Sequence, residues 1–187
     1  MSLTREEQAQ LLSVARVAIA KAIDLEPMLS EPPSLSGRGQ GLQIPAGAFV
    51  SIHVGDDLRG CVGRPESDLP LIEVVRRCAV SAATSDRRFP ALNSSEWPRV
   101  SIEISVIGRI EPVADVLEIE VGRHGLIAQL GARRGLLLPQ VAGEWGWERE
   151  EFVRHTCRKA GLAEDAWRNG AQLFKFEAQV FGGLSAP

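Results

Sequence analysis

Apolar residues recur every three to four positions in three stretches of the chain, and this spacing predicts amphipathic helices. The predicted helices span residues 4 to about 24, about 68 to about 84, and 148 to 160. Thr4 and Glu7 form a capping box for the first helix, and Asp68 before Pro70 predicts an acidic N-cap for the second. Between these two helices, residues 25–47 are rich in proline and glycine, which predicts a long irregular loop.

Apolar and polar residues alternate in other stretches, which is typical of half-buried strands. The predicted strands span residues 49–54, 58–63, 100–106, 125–130, 135–138 and 173–181. The first two form a hairpin across the Gly55–Asp57 turn, and the fourth and fifth form another across residues 131–134. On the third strand Ser101, Glu103 and Ser105 lie on a polar face, for which contact with solvent is the simplest expectation.

Composition and charge indicate a globular protein and argue against some classes of binding partner. The chain has 187 residues, of which 44% are hydrophobic and 24% charged, as in ordinary globular domains. A net charge of −3 gives no electrostatic footprint for nucleic acid or an anionic membrane. The chain start lacks the order of a signal peptide and no apolar run could span a bilayer, so we expect a cytoplasmic protein.

The cysteines suit a reducing compartment, because three of them at wide spacings do not make a disulfide framework. Cys78 and Cys157 fall in apolar helical stripes and are predicted to be core residues. Cys61 is different, because it lies two residues from Arg59 in an extended stretch, about 6.5 Å away at the backbone. A nearby cation favours the reactive thiolate, and Gly60 and Gly63 would let another backbone or a ligand approach closely. The alternative is an edge hairpin with a small buried cysteine and glycines that only relieve crowding.

The sequence offers two residues that could assist a reactive Cys61. Glu103 could pair with Arg59 or act as a general base, and it could equally be a solvated acid on a strand face. His155 could approach Cys61 from another element and act as a base, or it could be a surface or capping histidine.

Other polar and aromatic residues have simpler interpretations. Asp86, Arg87 and Arg88 are expected to make local caps and ion pairs, and Trp145 and Trp147 to anchor a loop in the core. The histidines are far apart and no metal-binding spacing is present, so no metal and no cofactor are predicted.

Several short motifs, in their order along the chain, resemble those of the AMMECR domain family. The family takes its name from the AMME syndrome candidate region and is also known as protein A of the AmmeMemoRadiSam system. The hexapeptide Leu58–Gly63 matches the family's L-R-G-C-I-G with Val62 for Ile, and residues 86–92 match D-x-R-F-P-x-L. The further matches are residues 102–106, 124–126, 135–142, 155–162 and 179–181.

This resemblance implies an α+β fold in which an antiparallel sheet with helices forms a large subdomain from both termini. It implies a large subdomain of residues 1–112 with 171–187, a smaller inserted α+β subdomain of residues 113–170, and a cleft between them. The binding residues it implies are Leu58, Arg59, Gly60, Cys61, Val62, Gly63, Arg88 and Phe89. The implied partners are Memo-like proteins and radical S-adenosylmethionine proteins.

Two hypotheses of function follow. The first is a binding or accessory module whose cleft holds a peptide or another large substrate for partner enzymes. The second is a thiol-dependent enzyme in which Cys61 is the nucleophile, Arg59 favours its thiolate or holds a substrate carboxylate, and Glu103 or His155 is the base.

Overall fold

The computed structural model describes residues 2–25 and 39–182. The fold is α+β, and the strand pairs are antiparallel, which confirms the predicted fold class. Part of the predicted loop 25–47 lies outside the described residues, and its described end contains a short helix. Among the described residues no helix is long and apolar enough to cross a membrane.

The chain divides into two compact units. The first comprises residues 1–107 with 179–187, and the second comprises residues 108–178. The subdomain boundaries expected from the family resemblance, and the cleft between the subdomains, stay predictions.

The first unit is an antiparallel sheet with helices packed on one face. Its elements are helices α1 (Arg5–Ala22), α2 (Gln40–Gln43) and α3 (Leu71–Thr84) and strands β1 (Ala48–Val54), β2 (Asp57–Arg64) and β3 (Val100–Ile107). The strand order is β2–β1–β3, and β3 is followed by the last strand of the chain, β7 (Gln172–Gly182), so β2 lies at the edge of the sheet. Every second residue of β1 is buried, which places Val50 and Ile52 in a core with α1 and α3. The other face of β1 is half-buried and carries Phe49, Ser51 and His53.

The first helix confirms its sequence signal. The hydroxyl of Thr4 accepts a hydrogen bond from the backbone N–H of Glu7, and the Glu7 carboxylate accepts one from the N–H of Thr4. These bonds satisfy backbone donors that the first turn of a helix cannot pair internally. Behind the cap, Leu11, Ala15 and Ile19 are fully buried at helical spacing.

The start of α3 differs from the prediction. The helix begins at Leu71, its N-cap is Pro70, and no side chain caps it. Because a proline disfavours the helical conformation in the residue before it, Leu69 cannot be part of the helix and Asp68 is too far away to cap it. The N–H of Leu69 is bonded instead by the hydroxyl of Ser67.

The second unit has its own sheet and core. Its elements are strands β4 (Glu111–Pro112), β5 (His124–Leu130), β6 (Arg133–Leu137) and β7 (Gln172–Gly182) and helices α4 (Pro139–Trp145) and α5 (Arg149–Lys159). The end of β7, from Gln179, belongs to the first unit. Leu126, Phe152 and Val153 are fully buried and lie at the centre of the second core.

Helix α4 follows the predicted strand 135–138 directly and lies outside the helices that the sequence predicts. Proline is well tolerated in the first turn of a helix, and here it starts one that Gly146 ends with a left-handed backbone, at φ 65°. Trp145 stands at the end of this helix with 69% of its surface exposed, so the prediction that it anchors a loop in the core is wrong. Trp147 is half-buried and packs against the second core.

Candidate functional site

The hexapeptide Leu58–Gly63 lies within β2 and contains a break in strand register. Before the break His53 is opposite Leu58, and after it Ile52 is opposite Gly60. Arg59 is therefore an extra residue in β2 that no residue of β1 opposes, which is a β-bulge. The bulge shifts the register by one residue, so Cys61 is opposite Ser51 on the half-buried face rather than opposite the core residue Val50.

The two glycines of the hexapeptide serve internal packing. A Cβ atom on Gly60 would overlap the backbone carbonyl oxygen of Ala82 in α3, and one on Gly63 would overlap the ring of Phe49. Of the two predicted possibilities, a close approach of another backbone or of a ligand, the structure shows the first: the backbone of α3 lies against Gly60, and the Ala48 carbonyl and the Phe49 ring lie against Gly63. The alternative, that glycine relieves crowding, describes both positions.

The guanidinium of Arg59 is bonded within the first unit. Its Nε and Nη2 atoms donate to the two carboxylate oxygens of Glu96 at 2.7 and 3.1 Å, and Nη1 donates to the carbonyl of Pro90 at 2.7 Å. Both side chains are largely buried, with 16% of Arg59 and 20% of Glu96 exposed. The hydrogen bonds from Arg59 are the main reason why the pKa of Glu96 is lowered. Arg59 thus connects residues 90–96, which follow α3, to the edge strand β2.

Asp86 and Arg88 bind the backbone of Cys61 from outside the sheet. The Asp86 carboxylate accepts the N–H of Cys61 at 2.9 Å, and Nη2 of Arg88 donates to the Cys61 carbonyl at 3.1 Å. The same two side chains form an ion pair at 2.7 Å. Unpaired backbone groups of an edge strand can pair with another strand. Asp86 and Arg88 bind these groups at Cys61, so no further strand can pair with β2 at this position. The local ion pair predicted for residues 86–88 is confirmed, and its contact with Cys61 is new.

This network also sets the charge state of Asp86. Hydrogen bonds from Arg88 hold the pKa of the Asp86 carboxyl well below its usual range, and the N–H of Cys61 lowers this pKa further. Only 7% of the Asp86 side chain is exposed. Asp86 is therefore a buried, charged acceptor that joins the two most distinctive motifs of the sequence.

The thiol of Cys61 lies among polar groups. The hydroxyl of Ser51 donates a hydrogen bond to the sulfur at 3.3 Å, and Cys61 itself is half-buried. The pKa of Arg88 is raised, first by its hydrogen bonds to Asp86 and also by the sulfur of Cys61. The cation bonded to Cys61 is therefore Arg88, through the Cys61 carbonyl, whereas the sequence predicts Arg59 at the thiol. Cys78 and Cys157 are buried, as predicted, and burial raises the pKa of each thiol.

Several polar residues lie on the same face of the sheet as the Cys61 side chain. We call this face of the sheet the polar face, and it consists of Ser51, His53, Cys61, Ser101, Glu103 and Ser105. Ser101 and Ser105 are buried, so the expected contact with solvent is wrong at these two positions, and Glu103 between them is half-buried. Ser51 is opposite Cys61 on one side and opposite Glu103 on the other, so the three residues make one row across three strands. At an ordinary strand spacing of about 5 Å, the backbones of Cys61 and Glu103 lie about 10 Å apart.

Glu103 is the charged member of this row. It is half-buried, and within residues 2–25 and 39–182 it has no hydrogen-bond or ion-pair partner. The prediction that it pairs with Arg59 is wrong, because Arg59 binds Glu96. A half-buried carboxylate without a partner is well suited to receive a donor group from a ligand.

The remaining predicted site residues have other contacts. Val62 packs against the first core, Leu58 is 38% exposed, and the ring of Phe89 lies 5.3 Å from the Arg88 guanidinium carbon. His155 lies in α5 of the second unit and stacks on Trp147, with 3.7 Å between the ring centroids. Its role as a base for Cys61 stays a prediction.

Sequence spacing does not predict Ser51 and Glu96 as site residues, nor the bond from Arg88 to the Cys61 carbonyl. Ser51 alternates with Phe49 and His53, which marked it as a polar-face residue, but its pairing with Cys61 depends on the bulge. Within the described residues no cluster of three or more histidine, cysteine or acidic side chains could hold a metal ion.

Known proteins resemble this chain along most of its length. The AMMECR1 family model matches residues 12–181. A protein of Thermofilum pendens is 42% identical over 200 residues, covering 96% of this chain and 91% of that protein. Protein MK0488 of Methanopyrus kandleri is 43% identical over 189 residues, covering 96% and 89%.

A solved structure shares the fold. The crystal structure of the uncharacterised protein PH0010 from Pyrococcus horikoshii has a TM-score of 0.82 at 36% sequence identity. The match covers 92% of this chain and 89% of that one.

Proposed function

Because the chain belongs to the AMMECR1 family, we propose that it is a cytoplasmic binding module that presents its polar face to partner proteins. The partners that the family resemblance implies are Memo-like proteins and radical S-adenosylmethionine proteins. In this proposal the polar face receives a segment of a partner or of a substrate that the partners modify.

The use of charge in and beside the two motifs that match the family carries the proposal. Arg59, Asp86, Arg88 and Glu96 direct their hydrogen bonds to one another and to the backbone of residues 61, 90 and 91. Arg59, Asp86 and Glu96 have largely buried side chains and act as scaffold, because a ligand would have to break their ion pairs to reach them, and the half-exposed Arg88 is already bonded to Asp86 and to the Cys61 carbonyl. What remains for a ligand is the row of Cys61, Ser51 and Glu103, which offers a thiol, a hydroxyl and a carboxylate.

Replacement of Glu103 tests this proposal. We expect Glu103→Gln to weaken binding of a purified Memo-like protein at least about tenfold, because the carboxylate is the strongest acceptor that the polar face offers. Stability should change little, because Glu103 loses no described partner. Isothermal titration calorimetry measures the affinity, and urea unfolding measures the stability.

Glu111→Gln is the matched control, because Glu111 is an exposed acid whose ion pair with Arg109 is long, at 3.5 Å. It should leave the affinity unchanged. Equal affinities for wild type and Glu103→Gln would reject the polar face as the binding surface, and failure of the wild type to bind would reject the Memo-like partner.

The environment of the thiol favours a second candidate function. The Ser51 hydroxyl donates a hydrogen bond to the Cys61 sulfur, and the Arg88 guanidinium is bonded to the carbonyl of the same residue. In this alternative Cys61 is the nucleophile of a thiol-dependent enzyme, Arg88 takes the role predicted for Arg59, and Glu103 or His155 assists as base.

Alkylation by iodoacetamide separates the two candidates. A catalytic thiol should react at least about tenfold faster in the folded chain than in the urea-unfolded chain, and Ser51→Ala should reduce that advantage. A binding module predicts equal or slower reaction of Cys61 in the folded chain. Mass spectrometry of the peptides reports each cysteine, and the buried Cys78 and Cys157 serve as internal controls.

A further inference from the structure

Glu103 brings a negative charge to the polar face that no cation of the described chain balances. Its carboxylate has no hydrogen-bond or ion-pair partner within the part of the chain that the structure describes. Arg59 is bonded to Glu96 instead. Arg88 is bonded to Asp86 and to the backbone of β2. Both cations that are bonded to the hexapeptide or belong to it are therefore engaged, and the charge of Glu103 is left for a ligand.

The neighbours of Glu103 along β3 limit its contact with water. Glu103 is half-buried, and the two serines on either side of it on the same face, Ser101 and Ser105, are buried. A carboxylate that has lost part of its hydration is stabilised by a group that brings both hydrogen-bond donors and positive charge. An apolar ligand group would leave this charge unpaired, and an anionic group would be repelled by it.

Two aromatic side chains are neighbours of Glu103 on the adjacent strand. Ser51 of β1 is directly opposite Glu103, and Phe49 and His53 lie two positions before and after Ser51, so both are diagonal neighbours of the carboxylate. Diagonal neighbours on one face of a sheet are about 7–8 Å apart, which long side chains can bridge. The face of a phenyl ring attracts cations. A carboxylate beside Phe49 therefore favours a cationic group over an anionic or a neutral one.

The thiol lies within reach of a short segment that binds at Glu103. The backbones of Cys61 and Glu103 are about 10 Å apart, and an extended chain of about three residues covers this distance at about 3.3 Å per residue. Ser51 stands between them, and its hydroxyl is bonded to the sulfur. A segment that places a cation at Glu103 can therefore lay its neighbouring residues over Ser51 and Cys61.

We propose that the polar face selects a segment with a cationic side chain, lysine or arginine, and that this side chain pairs with Glu103. The residues beside the cation then contact the neutral hydroxyl of Ser51 and the thiol of Cys61. This inference rests on the function proposed above, because it names the chemistry of the segment that the polar face receives. The charge at one end of the row both selects the segment and fixes its direction across the three strands.

Titration of the full chain with short peptides tests the need for a cation. The probes are acetyl-Ala-Lys-Ala-amide, the same peptide with arginine for lysine, and the same peptide with the uncharged norleucine. We expect the tighter of the two cationic peptides to bind with a dissociation constant of about 1–10 mM, and the norleucine peptide to bind at least about tenfold more weakly. Nuclear magnetic resonance shifts of the backbone N–H groups of Ser51, Cys61 and Glu103 report binding at the polar face.

Two variants locate the charge that matters. Glu103→Gln should reduce the affinity for the cationic peptide to that for the norleucine peptide. Glu111→Gln removes the same charge from an exposed acid outside the polar face and should leave the affinity unchanged. The pair thus separates the site from the general attraction of a cation to a chain of net charge −3.

The outcomes distinguish this inference from the function on which it rests. Equal binding of the cationic and norleucine peptides at the polar face would overturn the need for a cation and would leave the polar face as a binding surface. Equal weakening by Glu103→Gln and Glu111→Gln, or no shift with any peptide, would also overturn the inference. The titration with the Memo-like protein then judges the proposed function separately.

Discussion

Gly60→Ala is expected to destabilise the protein by at least about 3 kcal/mol, because the added methyl group meets backbone that cannot move aside alone. The Cβ atom would overlap the carbonyl oxygen of Ala82, which lies in the last turn of α3. Relief of the overlap requires α3 to move away from β2, and both elements belong to the first core. Urea unfolding followed by circular dichroism measures the loss.

Gly143→Ala is the matched control for this substitution. Gly143 lies within helix α4, and a Cβ atom there would meet nothing within 4 Å. Since alanine is favoured over glycine in helices, this variant should be more stable by about 0.5–1 kcal/mol. Similar stability for Gly60→Ala and wild type would contradict the close packing of β2 on α3.

Asp86→Ala is expected to cost about 2–4 kcal/mol near neutral pH. The substitution removes a buried carboxylate that accepts hydrogen bonds from Arg88 and from the N–H of Cys61. It leaves the N–H of Cys61 without its acceptor at a sheet edge, and such a loss exceeds that of an ordinary surface ion pair. Asp68→Ala is the control, because Asp68 is exposed and does not cap α3, and it should change stability by less than about 0.5 kcal/mol.

The effect of Asp86→Ala should depend on pH in a defined direction. The pKa of Asp86 is lower in the folded chain than in the unfolded chain, where about 3.9 is usual. Its contribution is therefore complete above the unfolded pKa and is lost as the pH falls toward the folded pKa. Unfolding at pH values from neutral to strongly acidic should show the wild type and Asp86→Ala converging. A constant difference at every pH would show that Asp86 acts through packing rather than through its charge.

Local sequence signals predicted most of the elements. The capping box of Thr4 and Glu7 starts α1, and the alternation along residues 100–106 gives β3, because both patterns depend on neighbours in sequence. The start of α3 was misplaced by assigning a cap to Asp68 without applying the restriction that Pro70 imposes on Leu69.

The arrangement of the site was harder to predict, because it depends on one extra residue. With an unbroken register, the hairpin that pairs Val54 with Asp57 would place Cys61 opposite the buried Val50. The bulge at Arg59 places Cys61 opposite Ser51 instead. Nothing local in the sequence requires this bulge, since Arg59 is held by contacts with residues some thirty positions away.

The prediction that Arg59 is the cation beside the Cys61 thiol failed for a related reason. Arg59 is nearer to Cys61 in sequence, but its guanidinium binds Glu96, and Arg88 reaches the backbone of Cys61 from a segment that only tertiary packing brings to β2. Sequence spacing gives distances along one strand and cannot give the partner that a long side chain selects. The sequence predicts local caps and ion pairs for the charged residues 86–88. The structure shows that Asp86 and Arg88 also bind the backbone of Cys61.

In the proposed function the hexapeptide is a scaffold that presents the Cys61 side of the sheet to a partner. The iodoacetamide reaction of Cys61, repeated with the Memo-like protein at a saturating concentration, measures whether a partner covers that side. We expect Cys61 to be protected at least about tenfold in the complex, because a bound segment covers the row of Cys61, Ser51 and Glu103. An unchanged alkylation rate in a saturated complex would contradict it.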